Sequence, residues 1–351
     1  MHPAPALDTP PDLLQRLTTF CDERGLESFG VRLRELAELV RMDMAKVEAG
    51  LPRLRADASA VQRGADHLLA RGGKRLRPMC IALAAKVGTG FTPAACDLAV
   101  AVELVHAATL LHDDVVDLGE TRRGAPAARL VFGNTVSIFA GDWLLVDALR
   151  RVRRIDPQEL LIRLFDTIEE MILAESLQLE RRHRLDTTVA HWHDIVRGKT
   201  ASLFAWGLYA GGRSGGLDVA TSEKLATYGR HLGIAFQAID DLLDLTGDPE
   251  HTGKQLFTDL REGKWTYPLL VAMRRDPTLV PRLAELQHET PSPEEARAIL
   301  DAIEQTGALG ECRELAVSHS EEAKRAIESL PPSPAKEGLL TVADATVRRS
   351  L

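Results

Sequence analysis

Six aspartates of this chain stand in apolar surroundings, in two copies of one pattern. Asp113-Asp114-Val115-Val116-Asp117 follows Leu110-Leu111-His112, and Asp240-Asp241-Leu242-Leu243-Asp244 follows Phe236-Gln237-Ala238-Ile239. A buried carboxylate is costly unless it is paired or bound to metal, so all six are expected to need a cation partner. Residues four apart share one face of a helix. Asp113 and Asp117 therefore point the same way, with Asp114 about 100° round the axis, and Asp240, Asp244 and Asp241 repeat that geometry. Oxygen-only sets of this kind suit hard divalent cations, and magnesium bridges one or two carboxylates to a substrate phosphate. An EF-hand loop is excluded, because its glycine and its twelfth-position Glu are missing.

The surrounding pattern is helical from about Leu13 onward. Asp156-Pro157-Gln158-Glu159 and Ser292-Pro293-Glu294-Glu295 each place a capping residue before a proline, with Glu two residues on. Thr92-Pro93 and Ser333-Pro334 do the same without the Glu. No convincing strand hairpin stands out, and Gly/Pro punctuation falls between long helical stretches. The expected fold is all-α, a single domain of about a dozen helices with no clear linker. Only 5% of residues are aromatic, which is low for a sandwich or barrel.

The net charge of −8 argues against a general nucleic-acid surface, while leaving room for a local basic pocket. Cys21, Cys80, Cys96 and Cys312 form no CxxC pair, so zinc and a disulfide framework are poor readings and a reduced, cytoplasmic setting is expected. No apolar run is expected to span a bilayer. MHPAPALDTPPD lacks the basic and apolar segments of a signal peptide and reads as a loose lead-in.

Cations stand near both acidic clusters. Arg71-Gly72-Gly73-Lys74-Arg75-Leu76-Arg77-Pro78 sets four of them around a Gly-Gly turn, and Arg122-Arg123-Gly124 follows the first cluster. Lys199-Thr200 is a third set, and Gly253-Lys254 with Asp259-Leu260-Arg261-Glu262-Gly263-Lys264 a fourth. Glycine allows close backbone approach and Arg gives forked recognition of phosphate oxygens. Each basic group alone reads as a solvated surface run. Together with two metal-type clusters they point to a substrate carrying diphosphate, although Walker-loop spacing is absent. His106 lies two turns before Asp113 on a similar face; taken alone, it reads as a core histidine with a hydrogen-bond partner.

The segments GGKRLRP, LLHDDVVDLGETRRG, AGDWLL, KTASLF, GIAFQAIDDLLD and DLREGKWTYP follow in one order from about Leu33 to the C-terminus. In that order and spacing the chain resembles the trans-isoprenyl diphosphate synthases, or polyprenyl synthetases. The resemblance implies an isoprenoid synthase fold with a central cavity over residues 33–351, a homodimer, and residues 1–32 as an extension of no assigned function. It also implies that the two aspartate motifs face each other across the mouth of the cavity. Asp113 and Asp117 of the first motif, and Asp240 and Asp244 of the second, would hold about three magnesium ions. The allylic diphosphate would be held with help from Arg122, Lys199, Thr200 and Gln237, with Lys254 also a substrate-binding position. Lys74, Arg77, His106 and Arg123 would hold isopentenyl diphosphate. Asp113, Asp114, Asp117, Arg122, Lys199, Asp240 and Asp241 would carry the chemistry, which needs no side-chain base.

Two departures from the family pattern stand out. Phe257 replaces the usual glycine of GKxxGxDL, and Ala174 replaces the glycine before Glu175. In this family the positions behind Asp113 bear on product length. Here they are Thr109, Ala108 and Val105, with Ala101 a turn further back, and their small size favours a long product, around C40 for a quinone side chain. Trp143 or Leu144-Leu145 is expected as a deeper floor. A C15 to C20 product, a terpene cyclase and a silent partner subunit are the alternatives. The cyclase is disfavoured because the second motif keeps its three aspartates and the isopentenyl-type cations are present; the silent subunit, because both motifs are intact.

Overall fold

The computed structural model describes residues 27–54, 57–247, 256–288 and 291–349. The fold is all-α, as expected. Two compact units divide the chain, Met1–Leu161 with Ser214–Gly216, and Ile162–Arg213 with Leu217–Leu351.

The first unit is built on α1 (Glu27–Gly50), α2 (Ala60–Leu69), α3 (Leu76–Val87), α4 (Pro93–Val116), α5 (Ala128–Phe132) and α6 (Asn134–Ile155). Helix α4 lies at its centre and carries the first aspartate motif. Thr92 caps it by accepting from the Ala95 amide, and Pro93 occupies the first turn, where its missing N–H costs nothing. By length and composition, these 24 residues could cross a membrane, which corrects the expectation that no run is long enough. Asp97 and Glu103 interrupt the run in sequence, yet two charges do not spoil its average. The helix is 67% buried inside the protein over that window, as befits a core helix.

Helices α4 and α6 run antiparallel. Ser137 Oγ donates to the Leu111 carbonyl at one end, and Arg151 Nη1 donates to Asp97 at 2.8 Å at the other. That register sets Ala140 level with Ala108 and Leu144 level with Leu104. Ser137, Ala140, Gly141, Leu144, Ala148 and Val152 form the buried stripe of α6. A side chain at Gly141 would collide with the His112 ring, its Cβ falling 2.3 Å from Nε2. The glycine thus seats His112, whose Nε2 lies 3.1 Å from the Ile138 carbonyl. Trp143 turns instead toward Pro52, Leu54, Gln62 and Leu69. It is therefore Leu144, rather than Trp143, that sits on the buried stripe of α6.

A two-stranded hairpin pairs Thr121 with Pro126 and Arg122 with Ala125, so the expectation of no hairpin fails for this short loop. Its turn residues Arg123 and Gly124 have φ of 53° and 73°, the signature of a type I′ turn. Arg-Gly is not among the usual turn pairs, and two-residue strands leave no alternation to detect.

The second unit holds α7 (Leu160–Arg181), α8 (Val189–Val196), a π-helical turn (Arg197–Ala201), α9 (Ser202–Ser214), α10 (Val219–Thr246), α11 (Thr258–Arg261), α12 (Tyr267–Arg275), α13 (Leu279–Glu285), α14 (Pro293–Gln305), α15 (Ala308–Ala326) and α16 (Pro334–Arg348), apart from the terminal residues of α7 and α9. Ser292 and Ser333 cap α14 and α16 as their sequences suggest. The Asp156 start differs. Its carboxylate accepts from the Gln158 and Glu159 amides, but α7 begins only at Leu160. The core of this unit gathers Trp192, Ile239, Leu242, Phe257, Leu269 and Cys312 among others.

Candidate functional site

In the first unit the second half of α4 has an accessible stripe, and His112, Val115 and Val116 are also partly or largely exposed. His106, Thr109, Leu110 and Asp113 are partly exposed, while Leu104, Val105, Ala107, Ala108 and Leu111 are buried. Asp117 ends the helix on the same stripe, its amide donating to the Asp113 carbonyl at 2.7 Å. The next residue, Leu118, takes a left-handed φ of 54° and turns the chain back. Asp114 faces inward and is 1% exposed. Its Oδ1 accepts from Arg122 Nε at 2.8 Å and Nη2 at 2.6 Å. The cation of this buried carboxylate is thus Arg122 from the hairpin. Asp114 is a positioning group that holds Arg122, while Asp113 and Asp117 keep the accessible face.

The Gly-Gly loop is shaped by Arg123. Its guanidinium donates to the Gly72 carbonyl and, at 3.4 Å, to the Leu68 carbonyl. A Cβ at Gly73 would fall 2.8 Å from Arg123 Nη2, so glycine there makes room for the guanidinium. Arg75, at a left-handed φ of 46°, is drawn inward and pairs with Glu48 and Glu103. Burial works against its charge, but Glu103 and Glu48 outweigh burial and hold its proton more tightly than usual. Within GGKRLRP, Arg75 is therefore an anchor, which leaves Lys74 exposed and Arg77 partly so.

These cations converge on His106. Burial, and then the charges of Arg77, Arg123, Arg122 and Arg75, push the imidazole pKa well below its ordinary value. His106 is thus a neutral ring set among guanidiniums. Such a cluster is stable only with counter-charge, and Glu103 supplies part of it from one turn earlier, with Arg123 Nη2 3.7 Å away. The remaining excess of positive charge is suited to an anion.

In the second unit, Asp241 is the inward-facing carboxylate of its motif. Trp192 Nε1 donates to its Oδ2 at 2.7 Å, the Tyr267 amide donates to the same oxygen at 3.1 Å, and Gln237 Nε2 donates to Oδ1 at 3.0 Å. Burial, then the charge of Asp259, pushes its pKa up to about 7. The expectation that every one of the six aspartates needs a cation is corrected at Asp241 alone. Asp114 has an arginine and Asp241 has neutral donors. The outer face of Asp240 is partly exposed. Asp244 is more enclosed, its Oδ1 accepting from the Thr258 amide at 3.1 Å and its Oδ2 from the Asp259 amide at 3.3 Å.

The π-helical turn brings Lys199 and Thr200 to this region. A π-turn shifts the face a side chain presents and is frequent at functional sites. Thr200 Oγ1 donates to Gln237 Oε1 at 3.0 Å, which continues through Gln237 to Asp241. Lys199 Nζ reaches Gln178 Oε1 at 2.9 Å and also contacts Glu175. Two close approaches require glycine. A Cβ at Gly198 would lie 2.6 Å from Ala174 Cβ, and one at Gly233 would lie 2.5 Å from Ala201 Cα. Ala174 is accommodated where the family has glycine because Gly198 opposite it has no side chain. Lys254 lies outside the described residues.

Phe257 keeps the conformation a glycine would favour, with φ 59°, and is fully buried. Left-handed backbone costs a side-chain-bearing residue about 1–2 kcal/mol, while burying Phe returns about 1.5–3 kcal/mol. Phe257→Gly is expected to lose stability through the cavity, and Phe257→Ala to lose about 1 kcal/mol more, because it keeps the strain as well. Chemical denaturation of the pair checks this; an alanine variant more stable than the glycine variant would show that the strain is absent.

Sequence reasoning missed Glu103, Trp192 and the roles of Arg75 and Asp114. Glu103 could have been flagged as a lone acid inside an apolar helix. Trp192 carried no signal, since a tryptophan in an amphipathic helix reads as core.

Known proteins resemble this chain over most of its length. Residues 58–303 match the Polyprenyl synthetase family. Octaprenyl diphosphate synthase of Escherichia coli (strain K12) is 34% identical over 324 residues, covering 91% of this chain and 99% of the relative. Nonaprenyl diphosphate synthase of Mycobacterium tuberculosis is 33% identical over 315 residues, 87% and 94% of the two chains. Among solved structures, the polyprenyl synthase of Caulobacter crescentus CB15 complexed with calcium and isoprenyl diphosphate superposes with a TM-score of 0.83 at 37% identity, covering 91% of this chain and 98% of the other. An all-α fold, the two aspartate motifs and these matches lead to one assignment: the chain belongs to the polyprenyl synthetase family.

Proposed function

We propose that this protein is a magnesium-dependent prenyltransferase that condenses isopentenyl diphosphate with an allylic diphosphate, such as farnesyl diphosphate, into a long all-trans polyprenyl diphosphate. The observation that carries this reading is on α4. One stripe of that helix holds a carboxylate pair, Asp113 and Asp117, and a cation-ringed imidazole, His106, about 10 Å apart along the axis. A carboxylate pair suits a metal-chelated diphosphate, and a guanidinium cluster suits a second, metal-free one.

The donor set fits magnesium. Asp113, Asp117 and Asp240 offer hard oxygens on accessible faces, and Asp244 follows Asp240 by one helical turn in the second motif. Two carboxylates per motif leave coordination positions for water and phosphate oxygens. When bound, magnesium stabilises the negative charge that develops on the departing diphosphate. Calcium and isoprenyl diphosphate accompany the similar Caulobacter crescentus synthase, a divalent cation with a ligand of the proposed class.

The chain's own residues bind and orient. In the first unit Arg122, fixed by Asp114, is a donor for allylic diphosphate oxygens, and in the second unit Lys199, Thr200 and Gln237 are donors of the same kind. Lys74, Arg77, Arg123 and neutral His106 hold isopentenyl diphosphate. The allylic C–O bond breaks with its electron pair leaving on the diphosphate, the double bond of isopentenyl diphosphate attacks the resulting allylic cation, and a proton then leaves to the released diphosphate. Buried apolar residues keep water from the cation.

Octaprenyl and nonaprenyl relatives support a product around C40. Ala108 lies level with Ala140, so a bulky residue at 108 has little room to turn toward α6. Ala108→Phe is expected to shorten the product, read by chromatography of the dephosphorylated lipid; an unchanged length places the floor elsewhere. A homodimer is supported by exposed apolar side chains on α5 and α6, namely Leu130, Val131, Ile138, Phe139 and Val146. Elongation of farnesyl diphosphate with labelled isopentenyl diphosphate by the purified protein alone tests the whole reading. No elongation would favour a partner subunit.

A further inference from the structure

The chain returns near its C-terminus to the second aspartate motif. Arg349, just past α16, places Nη1 3.3 Å from Asp240 Oδ1. Its Nη2 donates to the Phe236 carbonyl at 3.3 Å and its Nε to the Thr346 carbonyl at 3.4 Å. The guanidinium carbon stands 4.1 Å from the centre of the Phe236 ring. Only 6% of the Arg349 side chain is exposed, against 36% of Asp240. An arginine on a free tail would stay in water, where its charge is solvated. This one is buried, stacked and hydrogen-bonded over a single turn of α10, residues 236–240. Carbonyls and an aromatic face fix its position, so Asp240 gains a permanent positive neighbour on one side while its outer face stays open.

We propose that Arg349 is a built-in cation of the second motif that weakens metal loading at Asp240 in the substrate-free protein and makes that loading depend on a diphosphate. This rests on the reading above that Asp240 holds magnesium. A guanidinium nitrogen 3.3 Å from Oδ1 offsets the charge of the carboxylate and repels an incoming dication, without donating a hydrogen bond to it. A diphosphate reverses the sign of that effect. Its negative charge is attracted by Arg349 and by the metal together, so the same arginine that opposes the ion alone favours the ion with its anion.

The test is a manganese titration followed by electron paramagnetic resonance, on substrate-free full-length protein carrying Asp113→Asn and Asp117→Asn to silence the first motif. In that background Arg349→Gln is expected to bind manganese about tenfold tighter than its parent, and Arg349→Lys about as weakly as the parent. Inorganic diphosphate is expected to abolish most of the Arg349→Gln advantage. Thermal melting confirms the fold, and Arg349→Met, which keeps the stem on Phe236, serves where the glutamine variant does not fold. Equal affinities for parent and Arg349→Gln would make Arg349 an anchor of the C-terminal helix and overturn the proposal, as would weaker binding by the variant. An advantage that persists unchanged with diphosphate overturns the coupling. Asp240→Asn separates the two layers: if it leaves manganese binding unchanged, the metal reading of this motif falls, and the proposal with it.

Discussion

Asp113→Ala is expected to lower turnover by on the order of a thousandfold or more while leaving the helical circular dichroism unchanged. The reason lies in how the motif divides its work. Asp113 is on the accessible stripe of α4, so its loss removes no core packing and, on the proposed reading, removes a metal ligand. Asp240→Ala is expected to behave in the same way from the second motif. Asp114→Ala should differ in kind, because it releases Arg122 from a two-point contact at 2.8 and 2.6 Å and leaves a cavity at a residue 1% exposed. Steady-state kinetics over a magnesium series checks the first claim. A near-normal rate for Asp113→Ala at any magnesium concentration would refute the metal role.

Glu103→Ala is expected to cost about 3–5 kcal/mol of folding stability, the usual price of stranding buried charge. Glu103 is 2% exposed and pairs with Arg75, which is itself 8% exposed. It also stands 3.7 Å from Arg123. Its removal leaves Arg75 with Glu48 alone, and leaves the guanidiniums around His106 with less to offset their mutual repulsion. Glu103→Gln keeps the volume and a hydrogen-bond acceptor, so about half that loss is expected. Urea denaturation measures both. A loss below about 1 kcal/mol for the alanine variant would mean that water or Glu48 compensates fully. The apolar character of α4 and its buried acid are thus one arrangement, in which a core helix carries the counter-charge for the cationic end of the site.

Much of this was legible in local pattern. Period, caps and the absence of long strand signals gave an all-α reading that holds. The Ser292, Thr92 and Ser333 caps are local hydrogen bonds within three residues, which is why they could be read directly. Asp156 misled for a local reason too, since its carboxylate closes a turn before the helix proper starts. The two motifs were also legible as clusters of carboxylates with cations near them in sequence, because residue type and spacing are read directly.

What spacing does not carry is the choice of partner across the fold. Arg75 and Arg77 stand two residues apart and read alike, yet the first is buried on Glu48 and Glu103 and the second is partly exposed. Asp114 and Asp241 hold matching places in their motifs, yet one meets an arginine and the other a tryptophan and a backbone amide. Periodicity determined by itself that this chain is helical, and residue type that it carries two acidic and several basic groups of phosphate-binding character. Only the tertiary structure decided which aspartates face the open side, which arginines are counter-ions, and that Arg349 returns to Asp240. The cause is physical. A helix and its caps are set by neighbours within four residues, whereas the free energy of a buried charge depends on whatever the fold brings within a few ångströms of it.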